Sequence, residues 1–117
     1  MTTVTFLRSG ETIWGFRSCG HTGYAEAGSD ILCAAVSSMS SLVVNAIEST
    51  FGAPVDYRAD EGMPCLTVKV PALVTGGISD QVHFAVSRLI EAYRRQLTEL
   101  AGDYPEYIRV VCNVEDP

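Results

Sequence analysis

Hydrophobic and polar positions along the chain follow two periods, and the switches between them mark out its elements. Residues 2–7 alternate, with Val4 and Phe6 on one face and Thr3 and Thr5 on the other, and Arg8, Ser9, Gly10 and Glu11 supply turn chemistry before a second β-prone run over 12–17. That pattern predicts a hairpin. After Cys19, the stretch 20–30 carries glycines at Gly20, Gly23 and Gly28, which predicts a loop. From Ile31 the period lengthens. Leu32, Ala35, Val36, Met39, Leu42, Val43, Ala46 and Ile47 recur at steps of three and four, the stripe of a helix that Ser29 or Asp30 would cap and Gly52 would close. Ser37, Ser41, Asn45 and Glu48 fall on its polar side. Residues 55–60 and 65–70 alternate again across Glu61, Gly62, Met63 and Pro64, predicting a second hairpin. Ser79 and Asp80 open a second helix with an apolar stripe through Val82, Val86, Ile90, Tyr93 and Leu97, a Glu91/Arg95 pair on its wet face and an end at Gly102. Residues 107–114 read as the last strand. The order ββαββαβ predicts a two-layer α/β (α+β) fold, a mostly antiparallel sheet covered by two helices.

Composition narrows the picture. At 117 residues and 47% hydrophobic, with no linker or repeat, residues 1–117 form one domain with a core of its own. Fourteen acidic side chains against eight Lys and Arg leave a formal charge of −6, and no basic block is present. Direct nucleic-acid binding, which neutralises phosphates, is therefore not expected, and a basic partner suits the surface better. The longest unbroken apolar run, residues 31–36, falls far short of the ~20 residues of a membrane span, and no export signal opens the chain, so a cytoplasmic protein without membrane contact is expected. Cys19, Cys33, Cys65 and Cys112 lie at irregular intervals and are expected as reduced thiols, with Cys65 and Cys112 inert in the core.

Chemistry concentrates on His21 and Cys33, twelve residues apart. A thiol in the first turn of the helix predicted from Ile31 would sit against unpaired N–H groups and the positive end of the helix dipole, which favours thiolate. A histidine brought alongside would accept the thiol proton and return it to a leaving amine, and the same N–H groups would hold the oxyanion. On spacing alone, a cysteine among Ile31, Leu32, Ala34 and Ala35 reads more often as a small packing residue. Asp30 either caps the helix or orients His21. Glu26 reads as a solvated loop charge, and Asn45 as a structural hydrogen-bonding residue. His83, on the polar side of the second helix, has no assigned role.

The segment Gly20-His21-Thr22-Gly23-Tyr24, followed by Gly28-Ser29-Asp30-Ile31-Leu32-Cys33-Ala34-Ala35-Val36-Ser37, closely resembles the signature of the ribosomal-processing cysteine protease (Prp) family. Chain length, element order and Asn45-Ala46-Ile47 extend the likeness over most of the sequence. The resemblance implies a cytoplasmic, homodimeric cysteine endopeptidase that removes a short N-terminal extension from a basic large-subunit ribosomal protein precursor, without cofactor or metal. It makes Cys33 the nucleophile and His21 the general base, places Gly20, Gly23 and Gly28 in a loop over the bound peptide, and matches Asp30 to an acidic residue near the cysteine. Tyr24, Trp14 and Phe16 are the aromatic candidates for a peptide groove, although each reads more often as a core residue than as a pocket. Two rivals are carried. One is a non-enzymatic acidic module assisting ribosome assembly; the other is a small zinc-binding domain using Cys19, His21, Cys33 and Cys65.

Overall fold

The computed structural model describes residues 1–20, 26–60 and 65–117, with the side chains of residues 26–30 outside that description. Among the described residues the elements run β1 (Thr2–Ser9), β2 (Thr12–Cys19), α1 (Glu26–Asn45) continued by a π-helical turn (Ala46–Thr50), β3 (Asp56–Asp60), β4 (Cys65–Lys69), the short α2 (Ala72–Thr75), α3 (Asp80–Asp103) and β5 (Ile108–Val114). They form one five-stranded sheet in the order β3-β4-β2-β1-β5. Three pairings are antiparallel, and β5 returns beside β1 in parallel, as a connection through the long α3 permits. The two-layer α+β architecture is the expected one. The turn of the second hairpin, Glu61 to Pro64, lies outside the described residues.

The predicted alternation builds the helix-facing side of the sheet. Phe6 pairs with Phe16, and Phe16 in turn with Val68, all essentially without solvent exposure. Tyr93 of α3 meets both rings, at 5.8 Å from Phe6 and 4.9 Å from Phe16 between centroids. Val86, Ile90 and Leu97 extend that stripe. Ser79 caps α3 by accepting from the Val82 amide at 3.1 Å. The Tyr93 hydroxyl is buried against Ser40 of α1, 2.6 Å away, which ties the two helices together. Burial pushes the Tyr93 phenol above its ordinary range, and the Ser40 hydrogen bond partly opposes the shift. A raised folded-state value means this contribution to stability is intact at neutral pH and fades only as pH climbs past the ordinary phenol value of about 10. Ser40→Ala leaves the phenol without its partner and is expected to cost about 1–3 kcal/mol in denaturant unfolding. Adding Tyr93→Phe to that variant should cost less than Tyr93→Phe does alone, because the two groups share one interaction.

A break in register changes the reading of two aromatic residues. Leu7 pairs with Gly15 and Arg8 with Ile13, so Trp14 is the extra residue of a β-bulge. Its indole donates to the Glu115 carbonyl at 2.8 Å, and the Lys69 ammonium stands 5.6 Å from the ring centroid. Trp14 and Phe16 are 1% and 0% exposed, so both are core, the commoner reading of such aromatics, and neither lines a peptide groove. Beside them, the missing side chain of Gly15 lets β4 approach: a Cβ there would lie 2.6 Å from the Val68 carbonyl oxygen. Gly15→Ala must therefore push two paired strands apart. A loss of about 1–3 kcal/mol is expected, read as a lower denaturant midpoint at unchanged slope.

The first helix departs from its predicted form at both ends. It starts at Glu26, so Ser29 and Asp30 stand inside it rather than capping it, and Gly28 belongs to its opening turn rather than to a loop. Glu26 and Ala27 are strong helix formers, which outweighs the single glycine. At the far end, the Phe51 amide reaches back to Ala46, and Gly52 follows at φ +72°, the left-handed conformation that lets the chain turn away. Leu32, Val36, Val43 and Ile47 are buried as predicted, whereas Leu42 is 66% exposed. By length and composition residues 31–50 are long and apolar enough to cross a membrane, but here the stripe packs against the sheet. The short α2 carries no sequence period of its own. On α3, Glu91 pairs with Arg94 rather than Arg95, through contacts of 2.6 and 3.0 Å that hold the Glu91 carboxyl below its usual range.

Candidate active site

The end of β2 positions the first part of the site. Gly20 adopts φ +95°, and a Cβ there would collide with the Met1 carbonyl oxygen, so only glycine lets the chain leave the sheet against the N-terminus. Thr2 donates its hydroxyl to the Gly20 carbonyl at 3.4 Å. His21 is the next residue. It lies outside the described residues with Gly23 and Tyr24, so the expected placement of these three is neither seen nor contradicted.

The second part comes from α1. Cys33 is the eighth residue of this helix, half-buried, and it opens on a cavity of about 340 Å³. One wall is α1, with Cys33, Ser37 and Ser41; Tyr57 and Ala59 of β3 and Leu66 of β4 stand across from it; Ser18 and Gly20 close the end at β2. The thiol and the residue bonded to His21 thus share one cavity. The expected first-turn position of Cys33 is corrected. The helix already includes Glu26, seven residues before Cys33, so Cys33 lies beyond the first turn, within which the dipole effect fades, and that effect does not centre on it. The same observation removes the helix start as the oxyanion site.

Cys19 and Cys65 also differ from expectation. The β2–β4 register sets them directly opposite each other with Cα atoms 4.1 Å apart, and they form a disulfide. Neither is a core thiol. Bonded to each other, they are not thiolate ligands, which strips the zinc reading of two of its four groups. Among the described residues, no cluster of three or more His, Cys, Asp or Glu is placed to hold a metal. Cys112 is exposed rather than buried.

A larger cavity, about 560 Å³, lies over Glu11, Asp80, His83 and Phe84. No cysteine lines it, and its His83 is held by a 3.0 Å hydrogen bond between Nε2 and the Leu73 carbonyl, a tether to α2 rather than a free surface side chain. Chemistry, not size, selects the cavity at Cys33. Among the described residues the aromatic one lining it is Tyr57, 54% exposed, which has no signal in the sequence because its position depends on β3 lying at the sheet edge.

The family model described as cysteine protease Prp matches residues 1–109. The chain belongs to the Prp family of cysteine proteases. Its fold is similar to the crystal structure of SMU.848 from Streptococcus mutans, with 29% identity, 98% of this chain and 96% of that chain covered, and a TM-score of 0.80. It is also similar to the ribosomal processing protease Prp from S. aureus in complex with a covalently linked product peptide (22% identity, 97% and 100% covered, TM-score 0.78). The same enzyme with a substrate peptide matches at 22% identity, 98% and 100% covered, TM-score 0.76. No curated protein matches the chain. As a Prp family member the protein is a cysteine protease, and the non-enzymatic module is set aside.

Proposed function

We propose that this Prp family protein removes a short N-terminal extension from a large-subunit ribosomal protein, with Cys33 as nucleophile and His21 as general base. The observation that carries the proposal is the half-buried Cys33 thiol opening on a cavity that also contains Gly20, the residue bonded to His21. In the reaction, His21 accepts the thiol proton as the sulfur bonds to the scissile carbonyl carbon. The tetrahedral adduct collapses, the C–N bond breaks, and His21 gives the proton to the leaving amine. Water, deprotonated by His21, then attacks the thioester and releases the acid and the thiol. Asp30, three residues before Cys33 on the same helix, is proposed as the acidic residue of the family signature, and Gly23 and Tyr24 as part of the segment that meets the peptide.

The substrate class rests on the S. aureus relative, described as a ribosomal processing protease. A net charge of −6 suits a basic ribosomal protein, which it would attract over roughly a Debye length. A homodimer is part of the same proposal, and α1 offers a surface for it: Ile31 and Leu42 are 68% and 66% exposed on a stretch without charged residues from Ile31 to Ile47. The proposed setting is the cytoplasm, where the Cys19–Cys65 bond would be open to reduction into two thiols. The test is to incubate the purified protein with a ribosomal protein precursor bearing its extension and to weigh the products. One cut at the extension boundary is expected; an intact precursor contradicts the proposal.

A further inference from the structure

The cavity at Cys33 does not end there. A second hollow of about 330 Å³, lined by Ser41, Val44, Asn45, Glu48 and Tyr57, shares Ser41 and Tyr57 with the first, so the two form one trench between α1 and the edge strand β3. Along its α1 wall, Cys33, Ser37, Ser41 and Asn45 follow at steps of four residues. Each step advances about 6 Å along a helix, close to the roughly 6.6 Å that an extended peptide covers in two residues. A hydroxyl or amide therefore stands beside about every second residue of a chain laid in the trench, a spacing suited to its backbone groups.

The opposite wall is apolar at Tyr57 and Ala59, and the ring of Tyr57, half in solvent, stands where the two hollows meet. Among the described residues, the charged ones lining the trench are Asp60 in the first hollow and Glu48 in the second, both acidic. From Cys33 to Glu48 the helix rises about 22 Å, room for about six or seven extended residues.

We propose that this trench is the channel for one flank of the peptide substrate, and that Tyr57 and Glu48 determine its specificity. Tyr57 takes a bulky apolar side chain, Glu48 a lysine or arginine farther from the scissile bond, and Asp60 disfavours acidic residues. The occupant is a substrate peptide because the trench begins at the thiol and the charge of its described lining is of the sign that draws a basic chain. This inference rests on the proposed proteolysis.

The test is cleavage of a proteome-derived peptide library by the full-length protein, with the cut sites mapped by mass spectrometry. Wild-type sites should show a bulky apolar residue at one fixed position and Lys or Arg farther along the same flank. Tyr57→Ala should lower kcat/KM about tenfold or more for peptides with the bulky residue and far less for those with alanine there, so that the ratio between the two collapses, while Tyr57→Phe retains the preference. Glu48→Lys should exchange the basic preference for an acidic one. Cleavage with the same site profile in wild type, Tyr57→Ala and Glu48→Lys overturns the channel and leaves the protease reading standing. No cleavage of any peptide by wild type overturns the protease reading, and the channel with it.

Discussion

Replacing Cys33 with alanine is expected to abolish cleavage of the extended precursor, lowering the rate by about 10⁴-fold or more, the loss typical when a covalent nucleophile is removed. The thiol is half-buried at the mouth of its cavity, so the variant should unfold within about 1 kcal/mol of wild type. His21→Ala should fall to a similarly low rate, because nucleophile and base act as a unit, and the double variant should be little worse than either alone. The measurement is single-turnover cleavage followed by mass spectrometry, alongside denaturant unfolding of each variant. A Cys33→Ala protein that is folded and still cuts at the wild-type rate would remove the thiol from the mechanism.

Opening the Cys19–Cys65 disulfide is expected to produce the largest loss of stability. The bond closes a sequence separation of 46 residues, for which the chain-entropy treatment gives about 4 kcal/mol. In a domain of this size that corresponds to a fall of roughly 15 °C in Tm. Thermal unfolding with and without a dithiol reductant measures it directly. Cys65→Ser should match the reduced protein and no longer respond to the reductant. Equal Tm values for oxidised and reduced wild type would show that the strands need no cross-link. The sheet pairing around the bond is continuous from Gly15↔Lys69 to Cys19↔Cys65, so the reduced protein should keep its fold.

The strands and the two long helices were legible because each shows its periodicity locally: Val4 and Phe6 by alternation, Val86, Ile90, Tyr93 and Leu97 by steps of three and four. What was not legible depends on distant partners. Trp14 was open to a groove reading because the bulge that buries it exists only in the β1–β2 register, and its cover, the Glu115 carbonyl, is 101 residues away. The disulfide was hidden for the same reason, since only the β2–β4 register brings Cys19 to Cys65. Leu42 fits the apolar stripe by spacing but sits at its margin, where the sheet does not reach it. The early start of α1 was masked by Gly28, whose weak helix propensity is offset by the residues before it. At the site, Gly20 and Cys33 stood out through the family signature. Tyr57 had no such signal, being one tyrosine in a strand whose five residues are all exposed.

The most direct measurement is the chemical state of the Cys33 sulfur during turnover. The protein is mixed with extended precursor, quenched in acid within a single turnover, and digested for mass mapping of all four cysteines. The expected result is the released N-terminal extension held as a thioester on Cys33 and on no other cysteine. Completed cleavage with every cysteine unacylated at all quench times would contradict covalent catalysis by Cys33.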